Sequence, residues 1–213
     1  MEPSVQARLE DEAARTTRQM ALALEIQAAD TRLPLMTALT IAGDRLSKEV
    51  ADRMLADGDK PWPMCAVFVG SYARMEWIVE KVEAGLIDEA EVYPRLPDEW
   101  RSSDPDDTDY RFLHLWQRAR DWRRIYLRDE KALPRQGILW VYRGQDEGAK
   151  LGIAWTLDET VARKFATGAA TRQFDRGGVV YKARVRRKDV LGYMTGRHES
   201  EVVLDPRLLM IDE

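Results

Sequence analysis

The apolar spacing along this chain changes once, near Pro134–Gly137. Before that point apolar residues recur at three- and four-residue steps, the spacing of one helix face. After it they alternate singly in short runs, as strands require. A chain whose helical and strand-like parts are segregated in this way reads as α+β, with an N-terminal helical region followed by a small strand-rich unit. A doubly wound dinucleotide fold is not expected, since no G-x-G-x-x-G and no Walker A sequence is present. The 213 residues allow one large domain or two small ones. The stretch 94–109, rich in Pro, Asp and Ser, reads as a loop or linker. It suggests a helical domain over residues 1–105 and a second domain over 106–213.

In the first part, Leu9, Ala13, Met20, Leu24 and Ala28 predict an amphipathic helix over about Val5–Ala29. A second helix starts near Pro34, with Leu35, Leu39, Leu46, Val50 and Met54 on one side. Gly58 and the Pro61/Pro63 pair end it. A third runs from Met64 to about Ala84, with Val67, Tyr72, Met75, Ile78, Val79 and Val82 inward and Gly85 as its stop. Alternatively, Cys65–Val69 is a short strand. A fourth helix spans about Asp109–Glu130, its broad apolar face formed by Phe112, Leu115, Trp116, Ala119, Trp122 and Tyr126.

In the second part, strands are expected at 138–142, 151–155, 179–185, 190–193, 201–204 and 208–211. Turns are expected at Gly177-Gly178 and Asp205-Pro206. Thr156-Leu157-Asp158-Glu159 matches a capping box and opens a helix with Val161, Ala162, Phe165 and Ala166 inward.

Composition narrows the function classes. The net charge of −4 excludes binding to nucleic acid through bulk positive charge. From Gln136 onward, 13 Lys/Arg face 11 Asp/Glu, so an anionic ligand would prefer that part. The single Cys65 excludes an intrachain disulfide and gives no support to a cysteine zinc site. With an acidic, polar start and no run near the roughly 18 apolar residues of a membrane span, the expected location is the cytoplasm.

Three short stretches carry chemistry. In Leu139–Gly144 an arginine ends an apolar run. Arg143 can present its guanidinium fork to a phosphate, with Gly144 allowing close approach, or it can sit in an ion pair. In Gly152-Ile153-Ala154-Trp155-Thr156, alternation puts Ala154 and Thr156 on one face, where they can line a nicotinamide pocket. Helix capping by Thr156 and core packing by Trp155 are the plainer roles. In Glu199-Ser200-Glu201, strand alternation puts both carboxylates on one side, where they repel. One can accept a bond from a ribose hydroxyl and stabilise a developing oxocarbenium ion, and the other can take a proton from an acceptor. Otherwise the pair is a solvated strand start, with Arg197 and His198 as partners.

In this order the three stretches resemble the mono-ADP-ribosyltransferase family, in its Arg–Ser–Glu class, over about Gly137–Glu213. The resemblance implies a split β-sandwich with NAD in the cleft between two small sheets. It implies that Arg143 anchors the dinucleotide beside Gly144, that Ala154-Trp155-Thr156 stands where the family has Ser-Thr-Ser, and that Glu201 drives departure of nicotinamide. Glu199 would help choose or activate the acceptor. Ala154 departs from the family pattern, in which the first serine helps orient the glutamate. The implied partners are NAD as co-substrate, a macromolecular acceptor (protein or nucleic acid), and an antitoxin or other protein bound by the helical part. The implied setting is a bacterial or phage toxin or effector. A non-enzymatic interaction module on a degenerate transferase scaffold is the alternative that Ala154 favours.

His114 and His198 lie far apart and support neither a catalytic triad nor a metal site. The basic runs Arg123-Arg124 and Arg186-Arg187-Lys188 read first as solvated faces.

Overall fold

The computed structural model describes residues 5–123, 132–169, 177–196 and 199–211. Contacts divide the chain into two compact units, Met1–Trp77 and Ile78–Glu213.

In the first unit, α1 (Val5–Ala29) and α2 (Leu35–Ala56) form an antiparallel hairpin. Its seam matches the expected faces only in part: Leu39 packs on it and Leu46 is buried as expected. Ala23, Ala38 and Ala42 are fully buried in it, with Leu22, Ile26, Leu33 and Leu39 packed around them. Met20, Leu24, Leu35 and Val50, expected inward, are exposed. Small side chains let the two backbones approach closely, and a polar bond follows from that approach. Gln19 Nε2 donates to the Leu39 carbonyl at 2.9 Å, and a Cβ on Gly43 would lie 2.8 Å from the same Nε2. At the rim Arg18 pairs with Glu49 at 2.6 Å.

The helix expected from Met64 to Ala84 is two helices, α3 (Trp62–Ala66) and α4 (Ser71–Glu83), and the alternative strand at Cys65–Val69 does not form. Arg74 explains the break. Its guanidinium donates to the carbonyls of Ala66 and Val69 at the end of α3, and the Ala66 carbonyl also accepts from the Val69 amide. Val67, Phe68 and Tyr72 are exposed as a result. Gly85 does end α4: with φ of 70° it adopts the left-handed conformation, and the Leu86 and Ile87 amides turn back to the Lys81 carbonyl.

In the second unit, part of the stretch expected as a loop is helical. After α5 (Glu89–Val92) a 3₁₀ turn, Tyr93–Arg95, leads into α6 (Leu96–Arg101). Pro94 and Pro97 sit in first turns, where a missing N–H costs nothing. Helix α7 (Tyr110–Arg123) buries Phe112, Leu115, Trp116 and Ala119 as expected, and Leu113 as well. The Trp122 side chain, Tyr126 and the expected end at Glu130 fall outside the described residues.

The strands are β1 (Ile138–Gln145), β2 (Ala154–Thr156), β3 (Val179–Arg186), β4 (Val190–Met194), β5 (Glu201–Leu204) and β6 (Met210–Ile211), with α8 (Glu159–Ala166) between β2 and β3. They form one open sheet in the order β4-β5-β2-β1-β3-β6, antiparallel at every pairing. The pairing is uneven. β1 and β3 share eight rungs and β2 and β5 share three, whereas β1 and β2 meet only at Tyr142–Thr156. One rung therefore joins the halves β4-β5-β2 and β1-β3-β6. Leu139, Val141, Trp155, Ala183, Val185, Val202 and Leu204 fill the core on one face. The cap of α8 also differs from expectation. Asp158, not Thr156, is the N-cap, accepting from the Thr160 amide, and Glu159 pairs with Arg163.

Candidate functional site

The strands bearing the three motif stretches lie side by side, β5-β2-β1. Glu201 is the partner of Thr156, and Thr156 the partner of Tyr142, so the three share one cross-strand row. With strands about 4.8 Å apart, the backbones of Glu201 and Tyr142 are about 10 Å apart. Arg143 follows Tyr142, and alternation turns it toward the face of Leu139 and Val141 rather than the face of Glu201.

The sheet parts just past this row, and Arg143 stands in the opening. Its Nη1 donates to the Ala154 carbonyl and to Asp107 Oδ2 (2.6 Å), its Nη2 to Asp107 Oδ1 (2.9 Å), and its Nε to Gln145. Four of its five N–H groups are engaged. Asp107 also accepts from the Ala154 amide at 2.9 Å, and its own carbonyl accepts from the Ile153 amide at 3.0 Å. The inner edge of β2, left unpaired by the parting, is satisfied at Ala154 by two side chains, and the Asp107 carbonyl takes the amide of Ile153 just before the strand. The ion pair that the sequence allowed for Arg143 is thus present, and the side chains of Arg143 and Asp107 are only 15% and 17% exposed.

The two glycines of these motifs make room for protein. A Cβ on Gly144 would lie 1.9 Å from the Ala162 carbonyl oxygen and 2.5 Å from the Ala166 amide nitrogen, so α8 is what approaches it. A Cβ on Gly152 would lie 2.3 Å from both carboxylate oxygens of Asp107. Of the other expected pocket residues, Trp155 is 2% exposed within the core and donates Nε1 to the Gly152 carbonyl. Ala154 meets Arg143 and Asp107 through its backbone.

Glu201 is half-buried, and its Oε1 accepts from Trp100 Nε1 at 2.8 Å. Trp100, on α6, is 3% exposed. Its ring stands edge-on to Phe112 (5.9 Å, 77°) and Trp116 (6.1 Å, 80°), one turn apart on α7. Trp116 lies over β4 at Gly192, where a Cβ would come within 2.9 Å of its ring.

The two glutamates do not share a strand. β5 begins at Glu201, and Ser200 has φ of 45°, a left-handed residue that interrupts the alternation expected to align them. Thr156 holds this turn. Its hydroxyl donates to the Glu199 carbonyl and accepts from the Asp158 amide, while the Leu157 amide donates to the Ser200 carbonyl. Arg197 and His198 lie outside the described residues. Just past β5, the buried Asp205 binds Arg207 through both carboxylate oxygens and accepts from Gln117 of α7. The Arg207 bond holds the Asp205 pKa below the usual carboxylate value, against the upward pull of burial.

Asp107 and Trp100 were not among the candidates read from the sequence. Each reaches its partner over a long separation, 36 residues for Asp107–Arg143 and 101 for Trp100–Glu201. Among the described residues no group of three or more His, Cys, Asp or Glu is placed to hold a metal ion, and no helix is long and apolar enough to cross a membrane. No protein-family model matches the chain, and no curated protein and no solved structure gives a significant match.

Proposed function

We propose that the Ile78–Glu213 unit is an NAD-dependent mono-ADP-ribosyltransferase with Glu201 as its catalytic carboxylate. The carrying observation is that β1, β2 and β5 are neighbours and that the sheet parts at Arg143, beside the row bearing Glu201. The strands form one open sheet rather than the two small sheets of the split β-sandwich that the resemblance implies, and this part of the reading is supported by the weak central pairing alone. When bound, NAD supplies the ADP-ribosyl group.

The chemistry suited to a dinucleotide is divided between two groups that alternation places on opposite faces of the sheet. Glu201 supplies a carboxylate of the kind that accepts from a ribose hydroxyl and stabilises positive charge growing on the ribose carbon. Arg143 offers a guanidinium fork to a phosphate if the phosphate takes the place of the Asp107 carboxylate. Nicotinamide departs with the electron pair of the broken bond, the ribose carbon bonds to the acceptor's nucleophile, and Glu199 takes the acceptor's proton. The acceptor is a macromolecule, protein or nucleic acid. The helical unit serves as the arm for an antitoxin or other partner, a role supported by exposed Met20, Leu24, Leu35 and Met36. A toxin or effector of a bacterium or phage is the matching biological role.

The test is release of free nicotinamide from NAD by the purified chain, with and without cell lysate. Release is expected, and Glu201→Gln is expected to lower it by at least about 100-fold. No release by the native chain overturns the enzyme, and full activity in Glu201→Gln overturns the assignment of Glu201.

One observation favours a second reading. The Arg143 fork is engaged by Asp107, Gln145 and Ala154, and Ala154 has no hydroxyl to orient Glu201. On that reading the unit is a non-enzymatic interaction module that keeps the scaffold of a transferase.

A further inference from the structure

A glutamate that stabilises charge on a bound sugar must be held in one rotamer, because a freely rotating carboxylate spends most of its time elsewhere. Thr156, the hydroxyl nearest to Glu201 in register, is committed to the Glu199 carbonyl and the Asp158 amide. The adjacent alanine, Ala154, offers no side-chain donor. A donor to Glu201 comes from outside the sheet: Trp100 Nε1, 2.8 Å from Oε1.

We infer that Trp100 is a positioning residue of Glu201, its indole N–H holding the carboxylate from α6. The inference rests on the transferase reading for its catalytic meaning, while the bond is a property of the fold. Three features make the indole a fixed donor. It projects from α6 with Leu96 and Pro97 buried beside it. Phe112 and Trp116 hold its ring edge-on from α7. Gly192 of β4 leaves the space that Trp116 fills. An indole has one donor and no acceptor, so it fixes one carboxylate oxygen. The bond to an ionised acceptor is of the stronger class.

The test uses the full chain and two readouts. In Trp100→Phe the ring is kept and the donor lost. The rate constant for nicotinamide release is expected to fall roughly 10- to 100-fold. The KM for NAD should stay within about twofold, the pattern of an interaction that strengthens in the transition state. The second readout needs no activity. Trp100's indole ¹⁵N–¹H signal, identified as the one missing from Trp100→Phe, is expected to move upfield and exchange faster in Glu201→Ala. A signal unmoved in Glu201→Ala overturns the positioning role whatever the NAD result. A native rate of release in Trp100→Phe overturns it too. If the native chain releases no nicotinamide and the signal still moves, the bond to Glu201 is supported and the transferase reading alone falls.

Discussion

Asp107 Oδ2 accepts from two donors on adjacent strands, Arg143 Nη1 at 2.6 Å and the Ala154 amide at 2.9 Å. One carboxylate thus spans the place where β1 and β2 separate. Removing it leaves a largely buried guanidinium and a strand-edge amide without their partner, which is costlier than losing an exposed ion pair. Asp107→Ala is expected to destabilise the chain by about 2–4 kcal/mol. Urea unfolding checks this through the midpoint, and a loss below about 0.5 kcal/mol would show that the bridge is dispensable.

Gly144→Ala tests the close approach of α8. The nearest atoms to the new Cβ are backbone atoms of Ala162 and Ala166, which cannot swing aside as a flexible side chain can. A loss of about 3 kcal/mol or more, or failure to accumulate folded protein, is expected. A melting temperature equal to that of the native chain would contradict the packing. Gly137→Ala serves as the control, since a Cβ there meets nothing within 4 Å.

Ser200 has φ of 45°, a conformation that costs a residue with a side chain roughly 1–2 kcal/mol. Ser200→Gly is therefore expected to be neutral or to stabilise by up to about 1 kcal/mol. Ser200→Val is expected to destabilise by more than that, because a β-branched residue is a worse fit at positive φ. Thermal melts of the two variants side by side decide it, and the reverse ranking would mean that the turn before β5 is not left-handed.

Asp205 gives a pH dependence whose sign is set by its Arg207 partner. Its folded-state pKa lies below the unfolded value of about 3.9. Its contribution is therefore complete above that value and is lost as pH falls through the lower folded one. Asp205→Asn is expected to cost about 1–3 kcal/mol at pH 7 and to cost progressively less below about pH 4. Denaturant midpoints across pH 2–7 check this. A native-to-variant gap that widens on acidification would refute it.

Much of the second unit could be read from spacing alone. Alternation in Val179–Val185 locates β3 and its inward Ala183 and Val185, and the short apolar runs at 190–193 and 201–204 locate β4 and β5. The α1–α2 seam is legible only in part: Leu39 could be named, but its fully buried centre is alanine, and a search for large apolar residues passes over Ala23, Ala38 and Ala42. The break before α4 turns on Arg74, whose composition signal is that of any surface arginine. At the candidate site, Arg143, Ala154, Thr156 and Glu201 could be named from their strands. The groups that hold them, Asp107 and Trp100, could not, since neither their spacing nor their type marks them before the chain has folded. Ser200 shows the converse limit, because a single left-handed residue cancels an alternation that the letters Glu-Ser-Glu invite.

A sheet is ordinarily most vulnerable at its rims, where backbone groups face solvent. Here the soft line runs down the middle, because a single rung at Tyr142–Thr156 is supplemented by side chains. Resistance to central rupture is thus vested in replaceable chemistry rather than in the peptide backbone. Point substitutions at Arg143 or Asp107 can loosen the fold along its midline while both flanks keep their hydrogen-bond ladders.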